Sequence, residues 1–197
     1  EDDHSELKVI ASEEEYKIVT TNPNDFIKKP RNVQEQKIVQ INVDEQEGFF
    51  EKSKLNEEEI VFLINKGYTI SSHVGLDGGH QLDYLLKPRY NESISHFFVT
   101  KSIENYIKKY TKDVRLYETT KPDIVFRVND TFVAIEVENG SIDNKKILEN
   151  KVKLLKSEYE NNWFFVLTHH YYRFKYEKYG KVYVRNEVPK IIDHLFS

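Results

Sequence analysis

In the second half of the chain, segments whose hydrophobic residues recur with the period of a helix are followed by segments with the period of a strand. Ser93 can cap a helix that runs to about residue 112, because apolar side chains recur every three or four positions after it. That stripe consists of Val99, Ile103, Tyr106 and Tyr110. A second helix is predicted over residues 144–159, with a buried face formed by Leu148, Val152, Leu155 and Tyr159.

Short apolar runs between and after these helices predict the strands of one sheet. They cover residues 114–118, 123–128, 132–138, 163–168 and 182–184, and a last helix is predicted near 188–196. The dipeptide Asn129-Asp130 is typical of a tight turn, which would join the second and third strands as a hairpin. The predicted order is therefore helix, three strands, helix, strand.

The first 90 residues predict a smaller set of elements, namely short strands, one helix and a hairpin. Alternating positions favour short strands at 15–20 and 37–43. Asn56 and Glu59 have the spacing of a capping box, and Gly67 is a natural end for the helix that follows them. A hairpin is predicted from 68–74 and 81–86. A short helix before a hairpin is typical of the end of a winged-helix module, and an ordinary α+β lead-in is an equal alternative.

We therefore expect an α/β (α+β) fold in two parts, an N-terminal α+β extension at 1–90 and a domain at 91–197. The 197 residues are 39% hydrophobic and 31% charged, which is typical of a globular chain. No run of about 18 apolar residues is present, so we expect no membrane-spanning segment. The first residues show neither a secretory signal nor an initiator Met, so we treat the chain as a candidate fragment.

The absence of cysteine excludes disulfides and thiolate metal sites, and it fits a reducing, cytoplasmic compartment. The formal net charge of −4 argues weakly against nucleic-acid binding. The charges are unevenly distributed, however, because residues 1–60 are rich in acids whereas 145–190 carry many basic and tyrosine residues. A local basic face can bind phosphates on a chain that is acidic as a whole.

Three carboxylates are predicted to meet at one end of the hairpin. Residues two apart on a strand share a face, so Glu136 and Glu138 project together. Counting outward from the turn puts Asp123 opposite Glu136. Such carboxylates repel one another unless a cation lies between them, and Mg²⁺ or Mn²⁺ would suit their oxygens and activate water. The alternative is that they are solvated strand-end acids or partners of nearby lysines.

The order of elements, with Pro-Asp on one strand and Glu-x-Glu on the next, resembles the PD-(D/E)xK nuclease core. Residues 94–159 resemble more closely the replication-relaxation family of plasmids and conjugative elements, through ISHFFVTKSIENYI, KPDIVF, VAIEVENG and ILENKVKLLKSEY. The resemblance covers roughly residues 55–170. It implies a PD-(D/E)xK restriction-endonuclease-like core (αβββαβ) that follows an N-terminal winged helix.

The resemblance also implies roles for individual residues. Asp123 and Glu136 match the two metal-binding carboxylates of the family. Glu138 stands where the usual lysine is expected, and it is a third candidate ligand. Lys151 matches the lysine of the family's helix motif and would replace the missing cation.

Other residues are alternatives for these roles. Lys145 and Lys146 could supply the cation in place of Lys151, although a solvated helix face is the expectation for both. Glu104 on the first helix, or Glu118 on its strand, is a candidate for the extra acidic residue that many such nucleases carry. His96 is expected to be a partly buried, hydrogen-bonded histidine.

A basic, tyrosine-rich segment follows the apolar strand at 163–168. It suits phosphate contacts with base stacking, and a plain solvated surface is an equal alternative. The candidate DNA-contacting residues are His170, Tyr171, Arg173 and Lys175. The adjacent pair His169-His170 is a poor metal site for a His-x-His nickase, because neighbours on a strand point to opposite faces.

The sequence thus predicts a Mg²⁺- or Mn²⁺-dependent DNA endonuclease or nickase of a mobile genetic element, relaxase-like or replication-associated. DNA is the expected partner, no membrane is expected, and a homodimer is an open option. The alternative is a catalytically inactive nuclease-fold DNA-binding protein, which the glutamate at the usual lysine position favours. A structural protein of a mobile element, without any metal, is a third hypothesis.

Overall fold

The computed structural model describes residues 41–89, 92–117, 121–140, 142 and 144–197, and all of these belong to one compact unit. The strand predicted at 15–20 lies outside the described residues, as does the first part of the strand predicted at 37–43. Positions 41–43 form no strand. Within the described ranges, no helix combines the length and the apolar character needed to cross a membrane.

A small antiparallel sheet is formed before residue 90, in the order β1-β3-β2. Its strands are β1 (Phe49–Glu51), β2 (Thr69–Val74) and β3 (Gln81–Leu86). A 3₁₀ turn at Lys52–Lys54 and helix α1 (Glu57–Asn65) connect β1 to β2. The predicted hairpin is confirmed, because β2 and β3 pair from Thr69↔Leu86 to Val74↔Gln81.

Helix α1 begins at the predicted capping box. The Asn56 side chain accepts a hydrogen bond from the Glu59 amide at 2.8 Å, and the Glu59 carboxylate accepts one from the Asn56 amide at 3.0 Å. These two bonds satisfy amides that the first helical turn leaves without partners. The helix ends before Gly67, whose positive φ of 86° suits a glycine. Leu63 packs the helix onto Leu85 of β3.

A five-stranded mixed sheet forms the centre of the rest of the chain, in the order β4-β5-β6-β7-β8. Its strands are β4 (Val114–Leu116), β5 (Ile124–Val128), β6 (Thr131–Glu138), β7 (Trp163–Leu167) and β8 (Val182–Val184). The first three run as an antiparallel meander, and β6-β7 and β7-β8 pair in parallel. The helices are α2 (Ile94–Ile107), α3 (Lys145–Tyr159), α4 (Arg173–Tyr176) and α5 (Val188–Leu195).

The predicted order of helix, three strands, helix and strand is confirmed. Helix α2 precedes the meander, and α3 makes the crossover from β6 to the parallel strand β7. Residues alternate across β6, so Ile135 and Val137 pack in the same core cluster as α2 and α5, whereas Ala134 packs with α3. The first of these clusters also contains Tyr84 and Leu86 of the small sheet, so the core continues across position 90.

The prediction that the first helix extends to about residue 112 is wrong, because α2 ends at Ile107. The next residues turn toward α5, where the Tyr110 ring stacks on Phe196 with centroids 4.9 Å apart. The Tyr110 hydroxyl donates a hydrogen bond to Asp193 at 2.6 Å. Contacts with a distant helix therefore override the continued apolar period at Tyr110.

Replacing Asn56 with alanine removes the side-chain oxygen that accepts the Glu59 amide proton, whereas the backbone amide of residue 56 can still donate to the Glu59 carboxylate. We expect the Asn56→Ala variant to lose about 1 kcal/mol of its free energy of unfolding in urea. Asn65→Ala, at the other end of the same helix, is the matched control and should change stability by less than about 0.5 kcal/mol. Equal stability of the two variants would show that the Asn56 side chain contributes nothing to the stability of the fold.

Candidate functional site

The β5-β6 hairpin has the register that the sequence predicted. Asn129 adopts a positive φ of 52° in the turn, and the paired positions run from Val128↔Thr131 to Ile124↔Ile135. One position further, Asp123 lies opposite Glu136. The two acids therefore meet at the open end of the hairpin, as expected from the count along the chain.

The Asp123 carboxylate is fixed to the end of β6 by a backbone hydrogen bond. Its Oδ2 atom accepts the Val137 amide proton at a nitrogen–oxygen distance of 2.7 Å. The side chain is 18% exposed, so this carboxylate lies at the boundary between the core and the solvent. Asp123 is thus held beside Glu136 by β6 itself rather than by a flexible loop.

Glu136 is a buried carboxylate, with only 2% of the residue exposed. Its Oε1 atom accepts a short hydrogen bond from the Lys151 ammonium. Its Oε2 atom is also buried and has no hydrogen-bond donor among the described residues. A buried carboxylate oxygen without a partner is costly, which marks this atom as a place for a ligand or a proton.

Lys151 reaches the carboxylates because α3 packs on this face of the sheet. Asn144 caps α3, and the predicted face of Leu148, Val152 and Leu155 is buried. Lys151 lies beside that face, and its ammonium also contacts Oε1 of Glu138 at 3.3 Å. The structure therefore brings Lys151 to the acids, as the sequence predicted. Lys145 and Lys146 are exposed at the helix start.

Glu138 is 3% exposed and is engaged at both oxygens. Oε1 contacts Lys151, and Oε2 accepts a hydrogen bond from the Tyr176 hydroxyl at 3.0 Å. Within the part of the chain that the structure describes, no group of three or more His, Cys, Asp or Glu side chains is arranged to hold a metal ion. The three predicted carboxylates thus divide into the pair Asp123–Glu136 and a Glu138 that contacts Lys151 and Tyr176.

A second cation approaches Asp123 from α2. His96 Nε2 lies 3.5 Å from Asp123 Oδ2 and 3.1 Å from the Val137 carbonyl oxygen, and its Nδ1 lies 2.6 Å from Glu92. The sequence predicted a partly buried, hydrogen-bonded histidine here but not its contact with the acids. The Glu92–His96 spacing of four residues at a helix start is the signal that could have indicated this charge pair.

The protonation states follow from these contacts. Burial and the nearby Asp123 carboxylate raise the pKa of Glu136 well above its usual range, against the lowering effect of Lys151. Burial would raise the pKa of Asp123, but hydrogen bonding to His96 lowers it overall. Burial would lower the pKa of Lys151, but Glu136 and Glu138 raise it. Without a bound metal ion, Glu136 therefore retains a proton more readily than Asp123.

The two acids predicted as auxiliary residues differ in what the structure shows. Glu104 lies eight residues after His96 on α2, about 12 Å along the helix axis. Its carboxylate pairs with Lys101 at 2.6 Å and with Lys108 at 2.9 Å. Glu104 thus serves ion pairs on its own helix. Glu118 lies outside the described residues.

The predicted DNA-contacting residues lie on a segment that follows β7, residues 168–176. It is a 3₁₀ turn and the short helix α4 rather than an extended strand. His170 is exposed and Tyr171 is 53% exposed. Arg173 pairs with Glu187 at 2.7 Å, and Lys175 donates a hydrogen bond to the Gly140 carbonyl at 3.0 Å.

Gly140 allows this segment to lie close to the end of β6. Its φ of 83° suits a glycine, and a Cβ atom there would collide with the Tyr172 ring. Close packing of Tyr172 and the Lys175 bond to the Gly140 carbonyl hold the segment over the strand end that carries Glu138. The short helix α4 is thereby placed so that the Tyr176 hydroxyl reaches the Glu138 carboxylate.

Comparisons with protein-family models, with curated proteins and with solved structures each find no match for this chain. The resemblance to the replication-relaxation family therefore remains a prediction from the sequence motifs.

The contacts of His96 predict how stability depends on pH. Burial would lower the pKa of His96, but hydrogen bonds with Asp123 and Glu92 raise it to about 10. Because this folded value exceeds the unfolded value of 6.5, protonated His96 stabilises the fold fully below pH 6.5. We expect the free energy of unfolding, measured in urea, to fall as the pH rises from about 7 through about 10.

His96→Gln should weaken this decline, because glutamine does not titrate. The exposed His170→Gln is the matched control and should keep the pH dependence of the parent. If the parent and His96→Gln show the same slope between pH 7 and 10, the charge on His96 does not stabilise the fold.

Proposed function

We propose that the chain is a Mg²⁺- or Mn²⁺-dependent DNA endonuclease or nickase, whose reaction is phosphodiester hydrolysis. The observation that carries the proposal is the meeting of Asp123 and Glu136 at a hairpin end, with the Lys151 ammonium beside them. Two carboxylates and one cation at the edge of a sheet are suited to phosphoryl chemistry, in which negative charge builds up on the phosphate.

The topology supports a PD-(D/E)xK-type core as the scaffold for this chemistry. The sheet has an antiparallel meander after α2 and a parallel strand after α3, which is the αβββαβ order that the sequence resemblance implies. We propose that Lys151 replaces the lysine that this core usually carries at the position of Glu138. A cation is then supplied from α3 instead of from β6, close to the same carboxylate.

The buried Oε2 atom of Glu136 supports a cation site at the acid pair. It has no hydrogen-bond donor among the described residues, and the half-buried Asp123 carboxylate is its neighbour across the hairpin. Carboxylate oxygens are the ligands that Mg²⁺ and Mn²⁺ prefer, so the residues present fit such an ion. We propose Asp123 and Glu136 as its protein ligands. The ion would supply Lewis-acid activation of water and of the phosphate.

The remaining groups of the site have roles that follow from their contacts. The Val137 amide and His96 orient the Asp123 carboxylate, which keeps it beside Glu136. The Lys151 side chain is 27% exposed, and its ammonium lies where it could hold a phosphate oxygen or an attacking water at the edge of the sheet.

We propose that DNA lies across the C-terminal half of the chain. Helix α3 carries the exposed lysines Lys145, Lys146 and Lys153 on the same helix as Lys151, and the 168–176 segment exposes His170 and Tyr171. Helix α1 suits phosphates poorly, because its first turn contains three glutamates. The strand order β1-β3-β2, with α1 between β1 and β2, fits a partial winged helix. We propose that this part of the chain has a structural role.

A nicking assay on supercoiled plasmid with Mg²⁺ or Mn²⁺ tests the proposed activity. We expect the parent to convert the plasmid to the open-circle or linear form, and Asp123→Ala and Glu136→Ala to reduce the rate by at least about 100-fold. Lys151→Ala should reduce it by a similar factor. Chelation with EDTA should abolish cleavage by the parent.

Glu104→Ala is the matched control for loss of a buried carboxylate outside the acid pair. It should retain cleavage within about threefold when its fold is intact by circular dichroism. Failure of the parent to cleave plasmid with either ion, across a range of pH and salt, would refute the proposed activity.

The second candidate is a DNA-binding protein that keeps the fold without the chemistry. The observation in its favour is that Lys151 is already paired with Glu136 and Glu138, so part of the negative charge of the site is offset without a metal ion. This candidate predicts that binding of duplex DNA weakens steeply with salt and is unchanged by EDTA or by Glu136→Gln. Salt-independent or undetectable binding in a fluorescence-anisotropy titration would exclude it.

A further inference from the structure

We propose that Glu138 and Tyr176 form a clamp that positions the Lys151 ammonium, so that Glu138 acts through Lys151 rather than as a metal ligand. This inference rests on the proposed function for its catalytic consequence, but the clamp itself is a claim about contacts. Glu138 stands at the position where the resembling nucleases carry a lysine, and it lies next to the lysine that we propose as the replacement.

The two oxygens of Glu138 are used by two different partners. Oε1 faces the Lys151 ammonium at 3.3 Å, and Oε2 accepts the Tyr176 hydroxyl proton at 3.0 Å. With both oxygens engaged and the residue 3% exposed, the Glu138 carboxylate has one fixed orientation. Lys151 therefore contacts one oxygen from each of Glu136 and Glu138, which defines the place of its ammonium from two sides.

The Tyr176 side chain, which donates to Glu138, is itself held in place by packing. It is fully buried, and its ring packs on Phe165 of β7 with centroids 5.2 Å apart. The preceding residue, Lys175, ties α4 to the Gly140 carbonyl, and the Tyr172 ring lies against Gly140. The hydroxyl of Tyr176 is thus fixed by the core and by the segment that covers the end of β6.

A lysine side chain has four rotatable bonds, so an ammonium that reacts with substrate benefits from a fixed position. Glu136 alone cannot provide it if Glu136 also binds a cation, because the ion and the ammonium would compete for the same carboxylate. Glu138 supplies a second anion that stays with Lys151. With Glu138 holding Lys151, a metal ion and the Lys151 ammonium can both lie beside Glu136.

The reactivity of the Lys151 amine toward acetic anhydride, quantified by mass spectrometry at neutral pH, tests the clamp without any reaction on DNA. The clamped amine should react more slowly than the 75% exposed Lys145 on the same helix, which is an internal reference. Tyr176→Phe should raise the Lys151 rate about fivefold relative to Lys145, the factor that corresponds to one lost buried hydrogen bond. Glu138→Gln should raise it at least as much.

Tyr179→Phe makes the same chemical change three residues away and should leave the Lys151 rate unchanged. Thermal unfolding of each variant excludes a general loss of structure, and Glu138→Gln provides the answer if Tyr176→Phe does not fold. Equal Lys151 rates in the parent, Tyr176→Phe and Glu138→Gln would overturn the clamp.

Plasmid cleavage then separates this inference from the proposed function. A positioning role predicts that Tyr176→Phe lowers kcat about tenfold and leaves KM unchanged, whereas Tyr179→Phe changes neither. A parent that does not cleave would refute the nuclease proposal. The acetylation rates of Lys151 would still show whether Glu138 and Tyr176 hold its ammonium. A variant with a freed Lys151 and unchanged kcat would overturn the positioning role.

Discussion

The burial of the Glu136 carboxylate is the constraint on which the site depends. A carboxylate removed from water costs several kcal/mol unless a charge or a hydrogen bond offsets it. The structure supplies the Lys151 ammonium at one oxygen and leaves the other oxygen without a donor among the described residues. An oxygen in this position can hold a proton, which agrees with the raised pKa of Glu136, or it can bind a ligand as we propose.

The acids at the hairpin end are enclosed by cations from both layers of helices. His96 on α2 approaches Asp123 from one side, backed by Glu92, and Lys151 on α3 approaches Glu136 from the other, backed by Glu138. The meander fixes the two acids opposite each other, and each helix brings one cation to them, His96 from α2 and Lys151 from α3. The fold thereby assembles six charged groups from elements far apart in sequence, while the hairpin alone sets the separation of the Asp123 and Glu136 carboxylates.

Sequence reasoning worked where the contacts are local. The turn at Asn129-Asp130 predicted the strand register and hence the pairing of Asp123 with Glu136, and the helical period of 144–159 predicted the buried face of α3, beside which Lys151 lies. It failed where a distant contact decides the outcome. The basic, tyrosine-rich segment after β7 is predicted to be a surface, but its Tyr176 is buried against β7, and a four-residue helix has no period that could reveal this. The end of α2 was missed for a similar reason, since α5 redirects the chain there.

We propose that Asp123 and Glu136 together form a site for a divalent cation. Diffraction from crystals of this chain soaked in Mn²⁺, recorded with the anomalous signal of manganese, tests it most directly. We expect an anomalous peak within bonding distance of both carboxylates, with Glu138 still turned toward Lys151 and Tyr176. A saturated crystal without density between Asp123 and Glu136, or with manganese bound only elsewhere, would contradict it.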